Sequence, residues 1–116
     1  MSSRMPTKSV ERHADLTETI YRIPYHDKMV RHREDGPASI REYYDGRYIE
    51  TWLYHGKIHR YGGPAHTTIR CNMLFYVHGE YVTHKVNEWL SERNYTWETM
   101  SDIEKWELEL FMRCLG

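Results

Sequence analysis

Apolar and polar positions alternate along Thr17–Tyr25 (Thr-Glu-Thr-Ile-Tyr-Arg-Ile-Pro-Tyr), and the stretch is rich in β-forming residues. This predicts a strand. Pro24 has no N–H to give to a ladder, so it places the strand at an edge or ends it there. Ala38–Tyr44 and Arg47–His55 keep the period of two on either side of Asp45-Gly46, a two-residue hairpin signal. On the return strand Tyr48, Glu50, Trp52 and Tyr54 share one side. His55-Gly56-Lys57 reads as the next turn, Cys71-Asn72 as the turn of a second hairpin, and Tyr81–His84 as the end of the strands. Residues 1–15 are polar and aperiodic, which predicts a flexible arm. From Lys85 the period becomes helical: Val86, Trp89 and Leu90 stand at i, i+3 and i+4, with Asn94 as a stop. Ser101-Asp102-Ile103-Glu104 reads as a capping box. The helix it opens carries Ile103, Trp106, Leu110, Phe111 and Cys114 on one apolar stripe, predicted to be core, with Glu104, Lys105 and Glu109 toward water.

The strands belong to a repeat. His32-Arg33-Glu34-Asp35-Gly36-Pro37-Ala38 returns 27 residues later as His59-Arg60-Tyr61-Gly62-Gly63-Pro64-Ala65. His55-Gly56-Lys57 returns as His78-Gly79-Glu80, and His26-Asp27-Lys28 is a degraded copy ahead of both. A fixed period of this kind decides architecture. In each Gly-Pro-Ala the residue before proline is held extended, and Ala lets the next strand start close to its neighbour. Aligned on His-Gly, Trp52 matches Phe75 and Tyr54 matches Val77, and these positions are the predicted core face. The second hairpin is four residues shorter than the repeat period. The expected fold is α+β, an antiparallel meander of hairpin repeats over 17–84 with two helices over 85–116 closing its open end, in one domain.

Composition narrows the function classes. The chain has 116 residues and a formal net charge of −1, so it has no global basic field for nucleic acid. Residues 85–116 hold four basic and seven acidic side chains, the face of a solvated helix. Ten Tyr and four Trp suit a partly closed sheet and equally a binding surface. With no apolar leader run and no long apolar stretch, the expectation is a soluble, cytoplasmic protein with no membrane partner, whose Cys71 and Cys114 stay reduced. Neither cysteine reads as a nucleophile.

The His-Arg-x-x-Gly-Pro-Ala motif, followed by a strand, a Trp and His-Gly-Lys-x-His-Arg, resembles short hairpin repeats that are distantly similar to MORN repeats. Such repeats recur in small proteins of bacteriophages and giant viruses. The resemblance covers about residues 26–84 and carries no shared catalytic motif. It implies a viral accessory protein acting on a host protein or defence complex in the host cytoplasm.

Candidate chemistry rests on three groups. Seven of the eight histidines fall between His26 and His84: His26, His32, His55, His59, His66, His78 and His84. Imidazole binds metals, but a histidine that recurs with the structural unit is expected to serve that unit, capping its turn through ring N–H bonds. No metal and no cofactor is therefore assigned. Arg33 and Arg60 flank the Gly-Pro-Ala turns and could hold phosphate or tie the turn to carbonyls; structure is the expected use. Glu34-Asp35 is replaced by Tyr61-Gly62 and is not assigned to catalysis. Arg41, Tyr43, Arg47, Tyr61 and Arg70 are the predicted partner-binding residues, because Tyr and Arg make large contacts at interfaces, with the acidic C-terminal helix as the alternative surface. The leading expectation is a non-enzymatic protein-binding module. Alternatives are a single-stranded nucleic-acid binder using Tyr and Arg on the sheet, and a metal-dependent hydrolase using the histidine cluster.

Overall fold

The long predicted strand is β2, Leu16–Tyr25, and one edge of it is divided. Its first half pairs antiparallel with β4, Ser39–Tyr43, and its second half with β3, Lys28–Arg31. The fork is at Tyr21, whose N–H goes to Ala38 O at 2.9 Å and whose carbonyl accepts from His32 N at 3.0 Å. Gly36-Pro37-Ala38 lies in the crotch of this fork. Proline lacks an N–H to leave unpaired there, and Ala38 is fully buried against β2.

The same fork recurs. The strand after the Asp45 turn is β5, Tyr48–Thr51, continuing as β6, Leu53–Tyr54. It divides at Trp52 between β7, Lys57–Ile58, and β8, His66–Thr67. Trp52 N donates to Ala65 O at 2.6 Å, and its carbonyl accepts from His59 N at 3.0 Å. A third fork stands at Phe75, between β9, Met73–Leu74, and β10, Tyr76–Val77. Here no Gly-Pro-Ala remains. The Phe75 N–H is taken by Thr83 Oγ1 at 2.8 Å, at the start of α1, Thr83–Arg93. The helix closes the array by supplying the acceptor that a further repeat would have supplied. β10 pairs with β11, Glu80–Tyr81.

The His-Gly turns are the tight ones. His55 and Gly56 have φ of 49° and 83°, and His78 and Gly79 have 50° and 85°, both residues left-handed as a type I′ turn requires. Asp45-Gly46, predicted to be such a turn, sits instead in a three-residue loop. Tyr43 N donates to Arg47 O, and only Gly46 is left-handed.

The structure, a computed structural model, describes residues 5–70 and 72–116. The arm predicted over 1–15 is corrected from Thr7 onward: Thr7–Arg12 is β1, paired with β2 from Thr7↔Arg22 to Arg12↔Thr17. Its one aliphatic residue, Val10, is exposed, so no alternation marks it. An edge strand exposed on both faces takes polar side chains, which also guard against edge-to-edge pairing. Residues 1–4 lie outside the described residues, as does Cys71, predicted to stand at a turn.

α1 ends at Asn94, left-handed at φ 56°, as predicted, and α2 is Asp102–Arg113 with the Ser101–Glu104 capping box formed in both directions. The main core lies between these helices and the last hairpin: Phe75, Val77, Val86, Trp89, Leu108 and Met112 are all buried. The predicted core face is half right. Phe75 and Val77 are buried, whereas Trp52 is partly covered and Tyr54 is 38% exposed. On the earlier hairpins histidine and arginine cover aromatic rings, His55 stacking on Tyr25 and Arg33 and Arg60 lying over Tyr21 and Trp52.

The α2 stripe is also corrected. Ile103, Trp106 and Leu110 are 74%, 59% and 44% exposed, and Cys114 is exposed, while Leu108 and Met112 are fully buried. Glu104, Lys105 and Glu109, expected in water, are half-buried. Lys105 Nζ lies 4.4 Å over the Trp97 ring. The orientation of α2 is set by Trp89 stacking on Phe111 at 5.4 Å and by Gly62 N–H reaching Met112 Sδ at 3.3 Å.

Candidate functional site

The recurring histidines form a ladder. In each repeat the His-Arg histidine accepts, through Nδ1, the backbone N–H of the next turn's histidine: His55 N to His32 at 2.9 Å, and His78 N to His59 at 2.8 Å. The rings stack as well, His32 on His55 at 4.7 Å and His59 on His78 at 4.2 Å. The structural role expected of them holds, but with the polarity reversed, since the ring nitrogen accepts. An Nδ1 that accepts a hydrogen bond carries no proton, so His32 and His59 are neutral with the proton on Nε2. Burial pushes His59 down to about 4, helped by His78 and Arg113. His55 is lowered by burial and then by His32, against an opposing pull from Glu34.

The arginines lock the Gly-Pro-Ala turns, as expected. Arg33 Nη1 donates to Pro37 O and Arg60 Nη1 to Pro64 O, each at 3.2 Å. Each guanidinium lies over the aromatic ring of its fork, Arg33 4.1 Å above Tyr21 and Arg60 3.9 Å above Trp52. The glycine of the motif makes room for this. A Cβ on Gly36 or Gly63 would stand 2.8 or 2.6 Å from the arginine Cζ.

The two copies differ in what neutralises this pair. In the first, His32 Nε2 donates to Glu34 Oε2 at 3.4 Å and Arg33 Nε to Asp35 Oδ1 at 3.2 Å. In the second, Tyr61 and Gly62 stand in those places. Tyr61 hydroxyl turns to His78 Nε2 at 3.1 Å. Among the described residues no carboxylate lies within 4.0 Å of Arg60, and His59 Nε2 has no hydrogen-bond partner. Burial lowers the Arg60 guanidinium, with Glu50 opposing from farther off. His59 and Arg60 open onto a cleft of about 520 Å³ walled by Trp52, Tyr54 and Tyr61 and, from α2, by Glu109 and Arg113. Arg113 donates from both Nε (3.1 Å) and Nη2 (2.7 Å) to Glu109 Oε2 and lies 4.5 Å over the Tyr61 ring.

The predicted partner-binding residues do not gather in one place. Arg41, Tyr43 and Arg47 share one hairpin; Arg41 is paired with Glu18 at 3.1 Å, and Arg47 with Asp45 at 2.8 Å while lying 5.6 Å over Tyr43. Tyr61 lines the cleft, which contains none of the other four. Arg70 is exposed in the turn between β8 and β9. Sequence reasoning passed over His59 and Arg60 as a pair. The signal in the sequence is the replacement of Glu34-Asp35 by Tyr61-Gly62, which leaves the second His-Arg pair without its acidic neighbours.

The hydrolase alternative called on the recurring histidines, four of which are committed to the ladder. Among the described residues the set with metal-ligand spacing is Glu11, His13 and Glu18, with candidate atoms within 4.8 Å of one another. It contains none of the recurring histidines, and Arg41 already holds Glu18. No described helix is long and apolar enough to cross a membrane. Comparison with protein-family models, curated proteins and solved structures finds no match to this chain.

Proposed function

We propose that the protein is a non-enzymatic protein-binding module that presents α2 as a helical ligand. The observation that carries this is the exposure of Ile103, Trp106 and Leu110 at i, i+3 and i+7 on one face of the helix. That spacing is how an amphipathic helix enters an apolar groove on a partner, with Trp as the strongest anchor. Asp102 and Glu107 flank the stripe in the open, and the C-terminal third of the chain carries the acidic excess. The partner is therefore a protein whose apolar groove has a basic rim. Following the resemblance to viral hairpin-repeat proteins, we take it to be a host protein met in the cytoplasm. This moves the predicted surface from Arg41, Tyr43 and Arg47 to α2.

The test is capture from nuclease-treated host lysate by the wild type and by Trp106→Ser/Leu110→Ser. A partner held by the wild type, lost from the variant and resistant to moderate salt supports the reading. Loss on Tyr43→Ala/Arg47→Ala instead, with the helix variant still binding, refutes it. So does self-association through the stripe, read by sedimentation of the purified chain. Binding that falls steeply with salt and disappears with nuclease would favour nucleic acid.

A further inference from the structure

We propose that the cleft beside His59 and Arg60 binds a peptide segment bearing neighbouring carboxylates. The protein contains its own stand-in for the ligand. The first copy has the same His-Arg donor pair, and there the chain's Glu34 and Asp35 supply the two carboxylates that meet His32 Nε2 and Arg33 Nε. The second copy keeps the donors in the same frame: Nδ1 bound by a backbone N–H, and the guanidinium over a ring and on a proline carbonyl. It lacks the acidic pair: Tyr61 stands in the first place, Glu109 of α2 packs against Gly62 at the second, where a Cβ would meet Glu109 Cβ at 3.0 Å, and a cleft onto which both donors open lies beside them.

The chemistry selects an anion. A partly buried guanidinium without a carboxylate and an imidazole N–H without an acceptor both gain when a carboxylate reaches them, because charge-assisted hydrogen bonds are the strong ones. The charged groups facing the cleft are Arg33, Arg60 and Arg113 against Glu34 and Glu109. Arg113 and Glu109 satisfy each other, and Glu34 serves His32, so Arg60 is the cation left over. At about 520 Å³ the cleft is in the range that holds a small ligand, and the Trp52, Tyr54 and Tyr61 rings offer planar apolar walls to the segment around the acidic pair. This site is separate from the α2 stripe, so either reading can fail alone.

The test uses the full chain with 15N-labelled histidine and, as probe, acetyl-Glu-Asp-Gly-Pro-Ala-amide, which copies residues 34–38. The peptide should move the His59 Nε2 resonance saturably. The matched Gln-Asn peptide should bind at least about tenfold more weakly. Tyr61→Glu restores the first-copy residue and should weaken the peptide by a similar factor, its own carboxylate occupying His59, while Tyr61→Phe should bind like the wild type. The amide spectrum of each variant reports whether it is folded. The proposal is overturned if the wild type gives no saturable His59 shift, if the Gln-Asn peptide binds equally, or if Tyr61→Glu binds undiminished. Displacement of the peptide by equimolar inorganic phosphate or single-stranded oligonucleotide would also overturn it, by assigning the cleft to phosphate.

Discussion

Acid should unfold this protein partly through His59, and the extent can be worked from the ladder. The ring is neutral in the folded state because its Nδ1 accepts the His78 N–H; a proton there would set two donors against each other. Burial disfavours the charged ring first, and His78, stacked on it at 4.2 Å, and Arg113 add to the penalty. The folded value of about 4 lies below the ordinary 6.5. A histidine depressed in this way leaves stability whole above pH 6.5. As pH falls from 6.5 toward 4 the unfolded chain takes up a proton that the folded one refuses, and stability drops; below 4 this residue costs nothing more. At about 1.36 kcal/mol per pH unit the ceiling is about 3 kcal/mol, and water reaching the ring through the cleft reduces the expected loss to about 2 kcal/mol. Urea unfolding from pH 7.5 to 4.0 measures it, for the wild type and for His59→Asn, whose amide oxygen still accepts a hydrogen bond but does not titrate. His55 and His66, also lowered by burial, contribute in both proteins, so the difference between the two curves isolates His59. Parallel curves between pH 6.5 and 4 would refute the assignment of a neutral, buried imidazole.

Gly63→Ala places a methyl 2.6 Å from Arg60 Cζ, so the guanidinium must leave Trp52. The expected cost is about 1–3 kcal/mol, read as a lower thermal midpoint together with altered Trp fluorescence; an unchanged midpoint would mean that the stack contributes nothing. Leu108→Ala empties a fully buried position between α2 and the last hairpin and should cost about 2–5 kcal/mol in denaturant unfolding, whereas Ile103→Ala, at 74% exposure, should fall within about 0.5 kcal/mol of the wild type. Ser101→Ala removes the acceptor for Glu104 N and should cost about 1 kcal/mol in the same assay.

Local signals carried most of the architecture. The copied His-Arg and Gly-Pro-Ala motifs announced repeated units, Asn94 marked the end of α1, and the Ser101–Glu104 box marked the start of α2, because each acts through backbone groups a few residues away. β1 was not legible, since an edge strand bare on both faces needs no alternation and shows none. The orientation of α2 was not legible for a different reason. Its sequence offers two apolar stripes at helical spacing, Ile103-Trp106-Leu110 and Leu108-Phe111-Met112-Leu115, and either satisfies the periodicity. Only contacts with Trp89, Gly62 and the last hairpin chose the second and left the first in water. The candidate cleft divides in the same way. Its donors and the loss of Glu34-Asp35 in the second copy are written in the chain. That the two donors share an open space with α2 across from it depended on tertiary packing, because burial and vacancy are properties of what neighbouring elements fill, and a sequence states only what each element contains.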